Sequence, residues 1–148
     1  MNDLESPIAV DLWAARIPGF ACIAEHHWFI VARPGTANRW EVWQTPCQSE
    51  VSWGHLHCDL LGLTSGVGNG PGRMLRRWSG ADACELAQRI ENAPSNYPWI
   101  DTYRVFPGPN SNTFVQWVLA GIHELGWRGI GRAYARQAFA SHRSVTPP

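Results

Sequence analysis

The 148-residue chain has no apolar run near the ~20 residues that cross a bilayer, so no membrane span is expected. Residues 1–7 carry Asn2, Asp3 and Glu5 and lack the basic and apolar blocks of a secretion signal. A cytoplasmic location is therefore the default expectation, with signal-independent export left open. Charge is scarce: 16% of residues are charged, against about a quarter in ordinary domains. Twelve basic and twelve acidic residues cancel, which argues against a nucleic-acid partner. The four cysteines, Cys22, Cys47, Cys58 and Cys84, form no C-x-x-C pair and read as free thiols rather than a disulfide framework. Cys47, His55, His57 and Cys58 are too loosely spaced for a standard zinc site, so neither a metal nor another cofactor is expected.

What is abundant is apolar and aromatic. Apolar residues make up 45% of the chain, enough for one domain over 1–148 with its core within about 7–140 and a flexible tail at 144–148. The nine tryptophans suit core filling, pocket walls and interfaces, where an apolar ring meets a polar edge.

The first half reads as strands. Residues 8–13 place Ile8, Val10 and Leu12 at alternate positions before a Pro18-Gly19 turn. Residues 22–32 form a second run rich in Ile, Val, Trp and Phe. Residues 39–45 alternate Trp40, Val42 and Gln44 against Glu41, Trp43 and Thr45, and the 34–38 connection pairs them with the second run as a hairpin. Further strands are expected within 51–61 and at 74–78. Between them, residues 64–72 hold four glycines, and read as a surface excursion or a pocket cover.

The second half turns helical. Ser79 with Asp82 reads as a helix start, Ala83, Leu86, Ala87 and Ile90 as its apolar face, and Pro94 as its stop. Residues 97–106 read as extended, because Pro98 and Pro107 disfavour helix before them. A second helix is expected from Asn110 or Ser111, with Phe114, Val118, Ile122 and Leu125 on one stripe and Gly126 as its stop. A third is expected within 129–139, where Arg128, Arg132 and Arg136 read as a solvated face. The class is α+β: a mainly antiparallel sheet of about four to six strands packed with two to four helices.

The most informative stretch is Tyr103-Arg-Val-Phe-Pro-Gly-Pro-Asn-Ser-Asn-Thr-Phe114. Asn110 as N-cap makes Ser111, Asn112 and Thr113 the first helical residues, whose N–H groups have no intrahelical acceptor. Together with the positive end of the helix dipole they suit an anion or an oxyanion, which makes Asn110 and Asn112 candidates for that role. Ser111 is then placed for acyl chemistry, although a plain helix cap fits the same residues. A serine hydroxyl needs a base. His26 and His27 lie in an otherwise apolar strand, where alternation sends their rings to opposite faces, so one can serve. Glu41, Trp43 and Gln44 on the neighbouring strand can orient that base. Tyr103, His27 and Trp28 are candidate pocket residues.

The Glu25-His26-His27-Trp28 strand, the Tyr97-Pro98 pair, Asp101-Thr-Tyr-Arg and above all Pro107-Gly-Pro-Asn-Ser-Asn-Thr-Phe114 resemble the bacterial family called domain of unknown function 3750. The similarity runs from about Ile8 to Tyr134. That family in turn resembles the circularly permuted branch of papain-like (NlpC/P60) proteins. There a histidine on an early strand meets a cysteine at the start of a later helix, and a third polar residue follows on the next strand. The resemblance implies His26 as the histidine, Glu41 or Gln44 as the third residue, and Ser111 in the cysteine's place. It implies a hydrolase or acyltransferase on an amide or ester bond, with peptide, cell-wall or lipid acyl substrates. With serine there, the alternative is a non-catalytic binding module, or an exported effector or its protein partner, that keeps the pocket.

Overall fold

The computed structural model describes residues 7–19 and 23–140. Cys22, His142 and the 144–148 tail lie outside them. Six strands form one antiparallel sheet: β1 (Ala9–Arg16), β2 (Glu25–Arg33), β3 (Thr36–Val42), β4 (Val51–Trp53), β5 (Leu56–Cys58) and β6 (Arg73–Ser79). Their order across the sheet is β4-β5-β3-β2-β1-β6. The helices are α1 (Gly80–Glu91), α2 (Ala93–Asn96), α3 (Ser111–Leu119) and α4 (Arg136–Ala140), with a 3-10 turn at Arg132–Ala135 before the last. The fold is α+β, as composition and periodicity imply.

Alternation along the strands gives the sheet two different faces. Val10 and Leu12 of β1, Phe29 and Val31 of β2, and Trp40 and Val42 of β3 point to one side. There they bury Leu86 and Ile90 of α1 and Phe114, Val118 and Leu119 of α3. The β1–β2 register aligns Trp13 with Trp28 and Ala15 with His26, putting those four on the opposite face. A small cluster of Ala15, Trp28 and Ile30 forms there, with Trp13 and Val67 against it.

That second face is covered by the glycine-rich segment, which is a pocket cover rather than a free excursion. Trp28 Nε1 donates to Leu63 O at 2.9 Å, and Arg39 Nη1 donates to Gly62 O at 2.8 Å and Ser65 O at 2.6 Å. Gly72 lies so close to the Trp28 ring that a Cβ there would collide with it.

Several elements differ from expectation, among them the helix expected within 129–139, which is a 3-10 turn at Arg132–Ala135 followed by α4, and Pro94, which lies inside α2. The expected strand within 51–61 is a tight β4–β5 hairpin. Residues 97–106, expected to be extended, turn at 98–101 and bend at 105–106. The helix α3 stops at Leu119, where Ala120 turns left-handed (φ 43°) and Gly121 follows at φ 89°. Ile122 and Leu125 therefore lie beyond it, although Leu125 still reaches the core. Gln116 secures the turn: its Nε2 donates to His123 O and its Oε1 accepts from Leu125 N, both at 2.9 Å.

Candidate active site

Asn110 fixes the start of α3. Its Oδ1 accepts from the N–H groups of Asn112 (3.0 Å) and Thr113 (3.2 Å), while its own N–H donates to Thr113 Oγ1 at 3.0 Å. This is a reciprocal capping box with threonine in the third position. The Asn110 Nδ2 donates to Val105 O and Ile130 O, so cap, entry loop and C-terminal segment form one unit. The Phe106–Pro107 and Gly108–Pro109 peptide bonds in that loop are both cis.

Asn112 ties the helix to the sheet. Its Nδ2 donates to Glu25 O (2.8 Å) and Ile130 O (3.0 Å), which fixes the amide so that Oδ1 can only accept. That oxygen takes the His27 N–H at 3.2 Å and the His27 Nδ1–H at 2.8 Å. Burial drives the His27 imidazole down to about 4, with Asn112 and Glu25 opposing only in part. His27 is therefore a neutral structural donor on the helix side of the sheet.

Asn110 and Asn112 thus engage their amides with neighbouring groups, and two of the helix-start N–H groups with the cap. The Ser111 N–H has no acceptor among the described residues. It is the donor left open at that helix start.

His26 lies on the other face of β2. Its Nε2 is 2.6 Å from Glu41 Oε2. Arg39 Nη2 donates to the same oxygen at 2.9 Å, and Arg39 Nε lies 2.8 Å from Glu41 Oε1. Arg39 and Glu41 are both 0% exposed. Burial pushes the Glu41 carboxyl up, but the hydrogen bonds and charges of His26 and Arg39 outweigh it and hold the group below its ordinary range. As a carboxylate, Glu41 accepts the Nε2–H of His26, and a neutral imidazole then carries its lone pair on Nδ1. No hydrogen bond of the described residues uses that nitrogen. Trp28 stacks beneath the histidine at 5.8 Å, and Trp43 meets it edge-on at 5.4 Å. The Arg39 guanidinium lies 3.8 Å over the Trp28 ring.

Ser111 and His26 line one cavity of about 310 Å³, together with Trp43, Gln44 and Tyr103. No hydrogen bond joins the serine to the histidine. Burial raises the Tyr103 hydroxyl above its ordinary range, so it stays a protonated donor. Ile17 and Pro18, after β1, and Val67 of the glycine-rich cover supply the apolar wall. A second cavity, about 250 Å³ with Gln116, Glu124, Arg132 and Arg136 in its lining, sits toward the far end of α3 and holds no serine–histidine pair.

The site residues read from sequence therefore separate into two groups. Ser111, His26, Glu41, Gln44 and Tyr103 converge at one end of the sheet. His27, Trp28, Asn110 and Asn112 brace that end without lining the cavity. Arg39 and Val67 went unread. Arg39 shares an alternation phase with Glu41, which is a usable signal for two charges on one face; Val67 has none. His55 Nδ1 is 2.8 Å from Trp43 O, and His57 Nε2 accepts from Gln48 N at 3.0 Å, so both imidazoles hold backbone. Burial pushes the Cys58 thiol up to about 12.

A family model described as protein of unknown function (DUF3750) matches residues 7–134. No curated protein and no solved structure matches the chain.

Proposed function

The chain belongs to the DUF3750 family, and from that premise we propose that it is a hydrolase or acyltransferase acting on an amide or ester bond. The supporting observation is His26, whose Nε2 is held by a buried carboxylate, whose other nitrogen no hydrogen bond of the described residues uses, and which lines the same cavity as Ser111. On this reading the scaffold is a permuted papain-like one, with a histidine on an early strand and the nucleophile opening a later helix.

The chemistry follows from the tautomer. As Ser111 Oγ bonds to the carbonyl carbon, His26 Nδ1 takes its proton and the carbonyl electron pair moves to oxygen. The Ser111 N–H and the positive end of α3 stabilise that oxyanion. Collapse expels the leaving group, which receives the proton from the imidazolium. Water or an acceptor hydroxyl then gives a proton to His26 as it attacks the acyl-enzyme, and collapse breaks the bond to Ser111, whose Oγ takes that proton back from His26. Glu41 keeps the imidazole in register and balances its transient charge. A serine cannot rest as a thiolate does, so the base acts during attack.

Labelling by a fluorophosphonate probe tests this. The wild type should label, and Ser111→Ala and His26→Ala should each lower the rate by at least ~100-fold. A folded wild type that stays unlabelled from pH 6 to 9 would remove the catalytic reading. The missing Ser111–His26 hydrogen bond favours one second reading, a non-catalytic binding module; that outcome would support it.

A further inference from the structure

We propose that the cavity beside Ser111 is an acyl subsite for a compact, uncharged apolar group, and that Val67 and Trp43 set how long that group can be. The inference rests on the acyl-transfer reading for its name, but its physical basis is the lining. Among the described residues, no Asp, Glu, Lys or Arg side chain lines the cavity. The two charges nearest His26 in the network, Arg39 and Glu41, are fully buried and committed to each other and to the cover. An ionised acyl group would lose its hydration there and meet no counter-charge. An apolar one meets Ile17, Pro18, Val67 and the Trp43 ring.

Size narrows the class further. The cavity measures about 310 Å³. That accommodates an acyl chain of medium length or a single aromatic acyl group against the Val67 and Trp43 wall. Val67 sits on a segment whose carbonyls are clamped at Gly62, Leu63 and Ser65 by Arg39 and Trp28. The segment that carries Val67 is therefore tied to the sheet through those carbonyls. The polar groups, Gln44 and the Tyr103 hydroxyl, are neutral and can orient a carbonyl without demanding a charge.

Two measurements on the full chain test the subsite. The first is kcat/KM for p-nitrophenyl esters from two to twelve carbons, plus an eight-carbon ester ending in a carboxylate. It should rise by roughly fourfold per methylene while the chain fits, peak at medium length, and fall at least ~10-fold for the longest and for the carboxylate-ended ester. Val67→Trp should move the peak to shorter chains and Val67→Ala to longer ones. The second is binding of octanamide to Ser111→Ala, read by tryptophan fluorescence with Trp43→Phe as control. Octanamide binding that Val67→Trp weakens at least ~10-fold supports the subsite even if no ester turns over, in which case only the catalytic reading falls. Ser111-dependent turnover that is indifferent to chain length, or prefers the carboxylate-ended ester, overturns the subsite and leaves the catalytic reading standing. Absence of both turnover and octanamide binding overturns it as well.

Discussion

Adjacent imidazoles in β2 sit in opposite environments. His26 donates to a buried carboxylate and lines a cavity, whereas His27 is enclosed and hydrogen-bonded to Asn112. The second case has a pH consequence. Burial lowers His27 to about 4 from an ordinary 6.5, so between those values the unfolded chain binds a proton that the folded one refuses. Stability is complete above the ordinary value and is lost as pH falls toward the lowered one. Of the stability lost between pH 7.5 and 4 in urea titrations, His27 should account for roughly 3 kcal/mol. His57 and His123, also lowered by burial, lose stability in the same direction, and His27→Gln should reduce the slope by its share. Glu41 loses stability in the same direction, but only from its ordinary 4.5 downward. An unchanged slope in His27→Gln would mean the imidazole is not kept neutral by burial. Alternation showed that the two rings face apart, but not which faces the site, because both are flanked by apolar residues. Glu41 and Gln44 were equally open for a similar reason: both can come near a base on β2, and only coordinates separate a hydrogen bond from a cavity wall.

The helix α3 carries the nucleophile at one end and a costly turn at the other. Periodic apolar residues at Phe114, Val118, Ile122 and Leu125 favour a helix to Gly126, yet it ends at Leu119. Two forces explain the difference. Arg89 of α1 donates to Val118 O at 3.0 Å, and Gln116 satisfies backbone groups of the following turn, so the carbonyl end is capped early. Leu125 then reaches the core from a loop, and a helical stripe and a folded-back loop look alike in sequence. The cost falls on Ala120, left-handed at φ 43° with a Cβ that resists it. Ala120→Gly should therefore stabilise the protein by about 0.5–1 kcal/mol, read as a shift of the denaturant midpoint at constant slope. Destabilisation would show that the left-handed turn is not the native one. The start of α3 was easier to read, because Asn110 and the prolines before it are explicit signals. The cover at 62–72 was not, because what holds it are its own carbonyls, which every sequence possesses.

Across the whole molecule, the two faces of the sheet divide the work. The helix side is a conventional apolar core, and its strand pattern could be read directly from alternation. The other side buries Arg39 and Glu41 at 0% exposure, with the Arg39 guanidinium over Trp28, next to the proposed base. Stability alone gives little reason for that arrangement, because desolvating two charges offsets much of their attraction. If the pair exists to hold His26, stability and activity should separate on its removal. Arg39→Met alone leaves the Glu41 carboxylate buried without its cation and frees the carbonyls of Gly62 and Ser65, and should cost about 3–5 kcal/mol. The double variant Arg39→Met/Glu41→Leu removes both charges and should recover at least half of that loss. Its fluorophosphonate labelling should nevertheless stay at least ~100-fold below wild type, because nothing then holds the tautomer of His26. A double variant that is both stable and fully reactive would show that the buried pair does not hold His26 for catalysis. One that is as unstable as Arg39→Met alone would locate the loss in the cover's carbonyls instead of the unpaired carboxylate.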